Sequence, residues 1–197
     1  MGMNLDQDRF FASLRRLIDA IVERSPPPAS LSGPTALRDA DRLAMAATLW
    51  GEARGEGSAG QVAVAWVIVN RWRQPSWWSR ERGDGIPDDT IEAVCRDPWQ
   101  FTCWSDAQGD RLRAITLGWS GIAEILSLVD GVLAGRIPDP TGRADHYHTI
   151  AAPAYARAPG KWPPKWAVGR APSARIGAHL FFALGPAGDG RQSFIEA

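Results

Sequence analysis

The clearest pattern along the chain is a pair of apolar runs separated by a short polar, glycine-rich interruption. Between Asp39 and Glu52, the residues Leu43, Ala47 and Trp50 recur at helical spacing, and Met45, Leu49 and Glu52 continue a neighbouring line. This spacing predicts a helix starting near Asp39 or Asp41, either of which can supply an N-cap and suits the helix dipole. After the interruption Arg54-Gly55-Glu56-Gly57, the run Val62 to Val69 is apolar on nearly every side, the pattern of a buried central helix. Ser58-Ala59-Gly60-Gln61 has the spacing of a capping box, with Ser58 as N-cap. The polar pair Asn70-Arg71 is expected to mark where the second helix surfaces.

The remaining pattern is mostly helical with one extended piece. Residues 5–23 read as an amphipathic helix, with Phe10, Leu14, Leu17, Ile18 and Ile21 on one side, and the proline-rich stretch 25–30 reads as a linker. Trp72 to Asp89 is an irregular loop rich in Arg and Trp. Thr90 to Arg96 predicts one or two helical turns with Ile91 and Val94 inward. Asp110 to Arg136 predicts a helix whose apolar face runs from Ile122 to Leu133. Arg143 to Ile150 alternates and predicts a strand, with His146 and His148 on one side and Tyr147 on the other. Trp162-Pro163-Pro164-Lys165-Trp166 reads as a rigid aromatic loop at a groove rim, and Ile176 to Leu184 as the last structured piece. The expected organisation is residues 1–38 as helix and linker, 39–185 as one catalytic domain of mainly α character with a small β element, and 186–197 as a flexible tail.

The candidate chemistry sits in the polar interruption. Glu52 ends an apolar line, and burial against apolar side chains favours the protonated form of a carboxyl group. A protonated acid can donate to a leaving oxygen. The competing reading is a helix-end residue paired with Arg54 or Arg71.

The ordered blocks resemble a known family. Glu52-Ala53-Arg54-Gly55-Glu56, then Gly60-Gln61-Val62-Ala63-Val64-Ala65, then Val69-Asn70-Arg71 are similar to the SleB/CwlJ-type cell-wall hydrolases, which include spore-cortex lytic enzymes. Pro98 to Trp104, Ala144-Asp145-His146-Tyr147-His148 and Ile176 to Phe182 follow in the family's order. The resemblance implies a lysozyme-like, lytic-transglycosylase-like fold acting on peptidoglycan, with no cofactor and Glu52 as the catalytic acid. It implies substrate contacts from Glu56, Gln100, Phe101, His146, Tyr147, His148 and His179. Cleavage between N-acetylmuramic acid and N-acetylglucosamine by a single glutamate would be lytic transglycosylation. A second carboxylate positioning water would make the cleft a lysozyme-like hydrolase instead.

Composition narrows the other classes. Lys and Arg total 22, as do Asp and Glu, so net charge suggests neither a nucleic-acid partner nor a strong hold on an anionic surface. All ten tryptophans fall between Trp50 and Trp166; some must be core, and others, such as Trp77 and Trp78, can offer flat faces to sugars. Cys95 and Cys103 flank Gln100, and a disulfide between them would close a short loop. His146, His148 and His179 are the only histidines and form an acceptable ligand set for catalytic zinc, which would make a peptidase or amidase; the alternative is histidines that shape a glycan cleft. The first eleven residues are acidic and polar, so no secretory signal is expected, and no apolar run of about 18 residues could span a membrane. The expectation is a monomeric endolysin, made in the cytoplasm, acting on the periplasmic wall and released through a membrane-permeabilising, holin-like partner.

Overall fold

The structure, a computed structural model, describes residues 33, 35–74, 85–87, 89–97, 100–105, 119–157 and 160–185. The expected helix over 5–23, the linker, Trp77-Trp78 and the tail from 186 lie outside the described residues.

Helix α1 spans Asp39–Ala53 and α2 spans Ser58–Trp72. Two short helices follow, α3 (Ile91–Arg96) and α4 (Thr102–Ser105), then α5 (Trp119–Leu133). Strands β1 (His146–Thr149), β2 (Ala174–Ile176) and β3 (His179–Phe182) form one antiparallel sheet in the order β1-β3-β2. The result is a mainly α domain with a small β element.

Apolar periodicity explains the helical layer. Met45, Leu49 and Ala53 of α1 meet Val64 and Ile68 of α2, Ile91 and Val94 of α3, and Val129, Val132 and Leu133 of α5 in one buried cluster. Each Leu, Ile or Val buried there contributes about 1.5–3 kcal/mol relative to exposure. Trp50, Trp66 and Trp72 belong to this core, whereas Trp104, Trp162 and Trp166 are only partly buried.

Both helix starts differ from the sequence reading. The N-cap of α1 is Arg38, not Asp39 or Asp41. Asp41 lies inside the first turn, where Oδ2 accepts the Arg38 backbone N–H at 2.9 Å and Oδ1 accepts that of Glu92 at 2.8 Å. One buried carboxylate thus caps the starts of α1 and α3 together. The N-cap of α2 is Gly57, not Ser58, because the turn closed by Glu56 N–H on Ala53 C=O at 3.0 Å leaves Gly57 extended just before the helix. Thr90 does cap α3, its hydroxyl accepting Ala93 N–H at 3.1 Å.

The end of α2 is also buried rather than surfacing. Asn70 Nδ2 donates to Asp139 Oδ2 and Ala144 C=O, both at 3.0 Å, and Arg71 Nε donates to Asp145 C=O at 2.7 Å. These bonds tie the segment entering β1 to α2. Tyr147, Phe181, Ala174 and Ile176 then pack toward Ala63 and Val67 of α2. The opposite sheet face carries His146, His148, Leu180 and Phe182, and Trp162 and Trp166 cover it.

Candidate active site

Glu52 lies in the last turn of α1, half-buried. Its two oxygens meet donors brought from far along the chain. Oε1 accepts the backbone N–H of Cys103, in α4, at 3.0 Å. Oε2 accepts the hydroxyl of Tyr147, in β1, at 3.2 Å. The α4 contact depends on Gly51, since a Cβ there would stand 2.3 Å from Cys103 Cβ. The niche is therefore more polar than an apolar helix line suggests: two hydrogen-bond donors converge on the carboxyl group.

Tyr147 is held by its neighbours. Its ring stacks on Phe181 at 5.8 Å and meets His179 edge-on at 5.4 Å. Burial, then the Glu52 carboxylate, push its phenol well above the ordinary value near 10, so it stays protonated and donates. Arg71 lies behind it, with its guanidinium 5.1 Å over the Phe101 ring. Burial pulls Arg71 below its ordinary value, against the opposing pull of Tyr147 and Asp145.

Glu56 lies in the turn between α1 and α2, half-buried. Its Oε2 accepts the N–H of Ala178 at 3.4 Å and its Oε1 lies 3.6 Å from His179 Nδ1. Gly177 and Ala178 form the two-residue turn between β2 and β3, with Gly177 at φ +56°. A Cβ on Gly177 would come within 2.2 Å of Glu56 Oε2, so only glycine admits this carboxylate so close to the turn. Burial lowers the His179 pKa, outweighing the raising effect of Glu56 and Glu52, and His148 adds to the lowering.

The structure brings Glu52, Glu56, Tyr147 and His179 together on the helical side of the sheet. The other residues implied by resemblance fall elsewhere. His146 and His148 sit on the opposite face, where His148 stacks on Phe182 at 5.3 Å and meets Trp162 at 5.0 Å. His146 Nδ1 is 2.8 Å from Asp145 Oδ1. The strand register thus separates the three histidines, and among the described residues no group of three or more His, Cys, Asp or Glu could hold a metal ion. Phe101 is fully buried beneath Arg71, with no face open to a sugar. Gln100 is half-buried in the turn between α3 and α4, its N–H donating to Asp97 C=O at 3.2 Å. No disulfide joins Cys95 and Cys103, and burial pushes Cys95 up to about 12, so it is inert.

Two contributors escaped the sequence reading. The Cys103 N–H is a backbone donor, invisible in residue type; the glycine immediately before Glu52 was its one signal. Asp145 is fully buried and accepts from His146, Gln74 Nε2 at 2.9 Å, Leu184 N–H at 2.9 Å and Gly185 N–H at 2.6 Å. It fastens the start of β1 to the end of β3, and so positions Tyr147.

A helix-tip glutamate facing a tyrosine hydroxyl from a small sheet is the centre of the candidate site. Residues 55–182 match the model of the Cell Wall Hydrolase family, and the chain belongs to it. The matched span begins just beyond Glu52 and contains Glu56, Tyr147 and His179. A spore cortex-lytic enzyme of Halalkalibacterium halodurans is 30% identical over 148 residues, covering 75% of this chain and 36% of that one. One from Bacillus cereus is 29% identical over 160 residues, covering 81% and 51%. The chain thus spans about half or less of the length of these curated relatives. The catalytic domain of the germination-specific lytic transglycosylase SleB from Bacillus anthracis superposes with a TM-score of 0.50 at 29% identity, covering 76% of this chain and 98% of that domain.

Proposed function

We propose that the protein cuts the glycan strand of peptidoglycan between N-acetylmuramic acid and N-acetylglucosamine, as a lytic transglycosylase with Glu52 as its single general acid. The observation that carries this reading is the pair of donors on Glu52, Tyr147 Oη and Cys103 N–H. Protonated Glu52 gives its proton to the glycosidic oxygen as the bond to C1 breaks. The resulting carboxylate is held by the same two donors in charge-assisted bonds. The C6 hydroxyl of the muramic acid then attacks C1 and returns its proton to Glu52, leaving a 1,6-anhydro ring. The name of the Bacillus anthracis neighbour, a lytic transglycosylase, supports this outcome for the related site. Glu56, Tyr147 and His179 are assigned to substrate contact around the acid.

A lysozyme-like hydrolase in the same cleft is the second reading. It is favoured by the position of Glu56, whose partner His179 also feels the charge of Glu52. Here Glu56 would position water. Mass spectrometry of digested sacculi separates the two. Anhydro-muropeptides support transglycosylation, and free reducing ends support hydrolysis. Glu52→Gln should abolish both while preserving the fold, and retained activity would refute the assignment.

The endolysin role belongs to the same proposal. Expressed in a Gram-negative host, the full chain should lyse cells only when a holin-like protein opens the inner membrane. Lysis without it would count against that role.

A further inference from the structure

The balanced net charge conceals a segregation. From His146 through Gly188 there is no aspartate or glutamate, yet Arg157, Lys161, Lys165, Arg170 and Arg175 all lie there. All five are exposed. The fold brings three of them to one layer. Arg175 pairs with Leu180, and Leu180 with His148, so these residues share the sheet face turned away from Tyr147. The segment bearing Lys161 and Lys165 folds over that face. Trp162 meets His148 at 5.0 Å, and Trp166 lies 5.0 Å from His146 and 5.5 Å from Phe182. Lys161 and Lys165 each directly precede one of these anchored indoles, so the packing fixes where their ammonium groups leave the surface. Among the described residues, none of the five pairs with a carboxylate.

A solvated surface ordinarily mixes both signs. A face of one sign on a neutral protein concentrates potential and draws in an oppositely charged partner. Resting on the peptidoglycan reading above, we propose that this outer sheet layer docks the carboxylate-bearing peptide stems of peptidoglycan, a contact separate from the cleft at Glu52. The stems present carboxylates at intervals along a stiff polymer, and guanidinium and ammonium groups pair with them in charge-assisted bonds. Each exposed pair alone is weak. Several acting on one strand add through effective concentration once the strand is held. The surface keeps the enzyme on the wall between cuts.

The test is co-sedimentation of the full chain with purified sacculi stripped of attached polymers, in the Glu52→Gln background so that the sacculi stay intact. Binding is read apart from products, so failure of the docking surface and failure of the cleavage reading are distinguishable. Neutralising K161Q, K165Q, R170Q and R175Q together should weaken binding at least about ten-fold at low salt and flatten its salt dependence. The charge-keeping set K161R, K165R, R170K and R175K should bind like the parent. Sacculi with amidated stem carboxylates should bind the parent as weakly as untreated sacculi bind the neutral variant. Equal binding by neutral variant and parent, or undiminished binding to amidated sacculi, overturns the proposal. Tighter binding to phosphatidylglycerol vesicles than to sacculi also overturns it, in favour of lipid. If the fourfold neutral variant does not fold, K161Q and R175Q measured singly should each lower affinity, and no loss from either refutes it.

Discussion

Tyr147 donates its hydroxyl to Oε2 of Glu52 at 3.2 Å, joining the middle of β1 to the tip of α1. Hydrogen bonds to charged groups are worth about 1.5–3 kcal/mol, so Tyr147→Phe should lower kcat on sacculi by about 10- to 100-fold. The Phe181 stacking survives the change, so the melting temperature should move by only a few degrees. Turnover of anhydro-muropeptide release measures the effect. Unchanged kcat would mean that the hydroxyl is a bystander.

Glu52 was legible as a helix end on an apolar line, and the alternation of 146–148 correctly put Tyr147 opposite the two histidines. The bond between them was not legible, because it links residues far apart in sequence and periodicity carries no such information. The β2–β3 hairpin was also missed as a hairpin. Its strands are only three and four residues long, and its signal is the single pair Gly177-Ala178. The caps of α1 and α2 were not legible because the Glu92 N–H, distant in sequence, shares Asp41, and a backbone turn places Gly57 where Ser58 was expected. Net charge averages over the chain and so carries no sign of the span from 146 to 188, which holds cations and no carboxylate.

His179 offers a pH test. Its folded pKa lies below the unfolded value near 6.5, so the unfolded chain binds the extra proton first. Its neutral form stabilises the fold fully at pH above about 6.5, and that stability is lost as pH falls from there toward the folded pKa. Melting temperature should therefore fall between pH 7.5 and pH 5, and His179→Gln should flatten this part of the curve. An equally steep slope in the variant would assign the effect elsewhere.

Asp145 governs a lower window. Burial acts to raise its pKa, but the hydrogen bonds from His146, Gln74 and Leu184 outweigh it and hold the carboxyl below its usual value. A depressed folded pKa stabilises the protein above about pH 4 and loses that contribution as pH falls through the folded value. Asp145→Asn turns an amide N–H₂ toward groups that are themselves donors. About 3 kcal/mol of destabilisation is expected, or roughly 6–12 °C in melting temperature at this chain length. Thermal denaturation at pH 7 decides it, and a shift below about 2 °C would show that water replaces the lost acceptor.

Gly51 tests whether the α1–α4 approach serves the acid or only the packing. A Cβ at this position must displace Cys103, whose Cβ would otherwise be 2.3 Å away and whose Sγ would be 2.8 Å away. Overpacking of this kind costs about 1–3 kcal/mol. The same displacement pulls the Cys103 N–H from Glu52 Oε1. Gly51→Ala should therefore lose activity well beyond the fraction unfolded, by about 10-fold or more for one charge-assisted bond. Cys103→Ala is the matching control. It keeps the backbone N–H while removing the sulfur, so activity should stay within about three-fold of the parent, and Cys103→Ala with Gly51→Ala should recover part of the loss by vacating the Sγ position. Equal loss from both single variants would show that the thiol, rather than the backbone donor, is what Glu52 depends on.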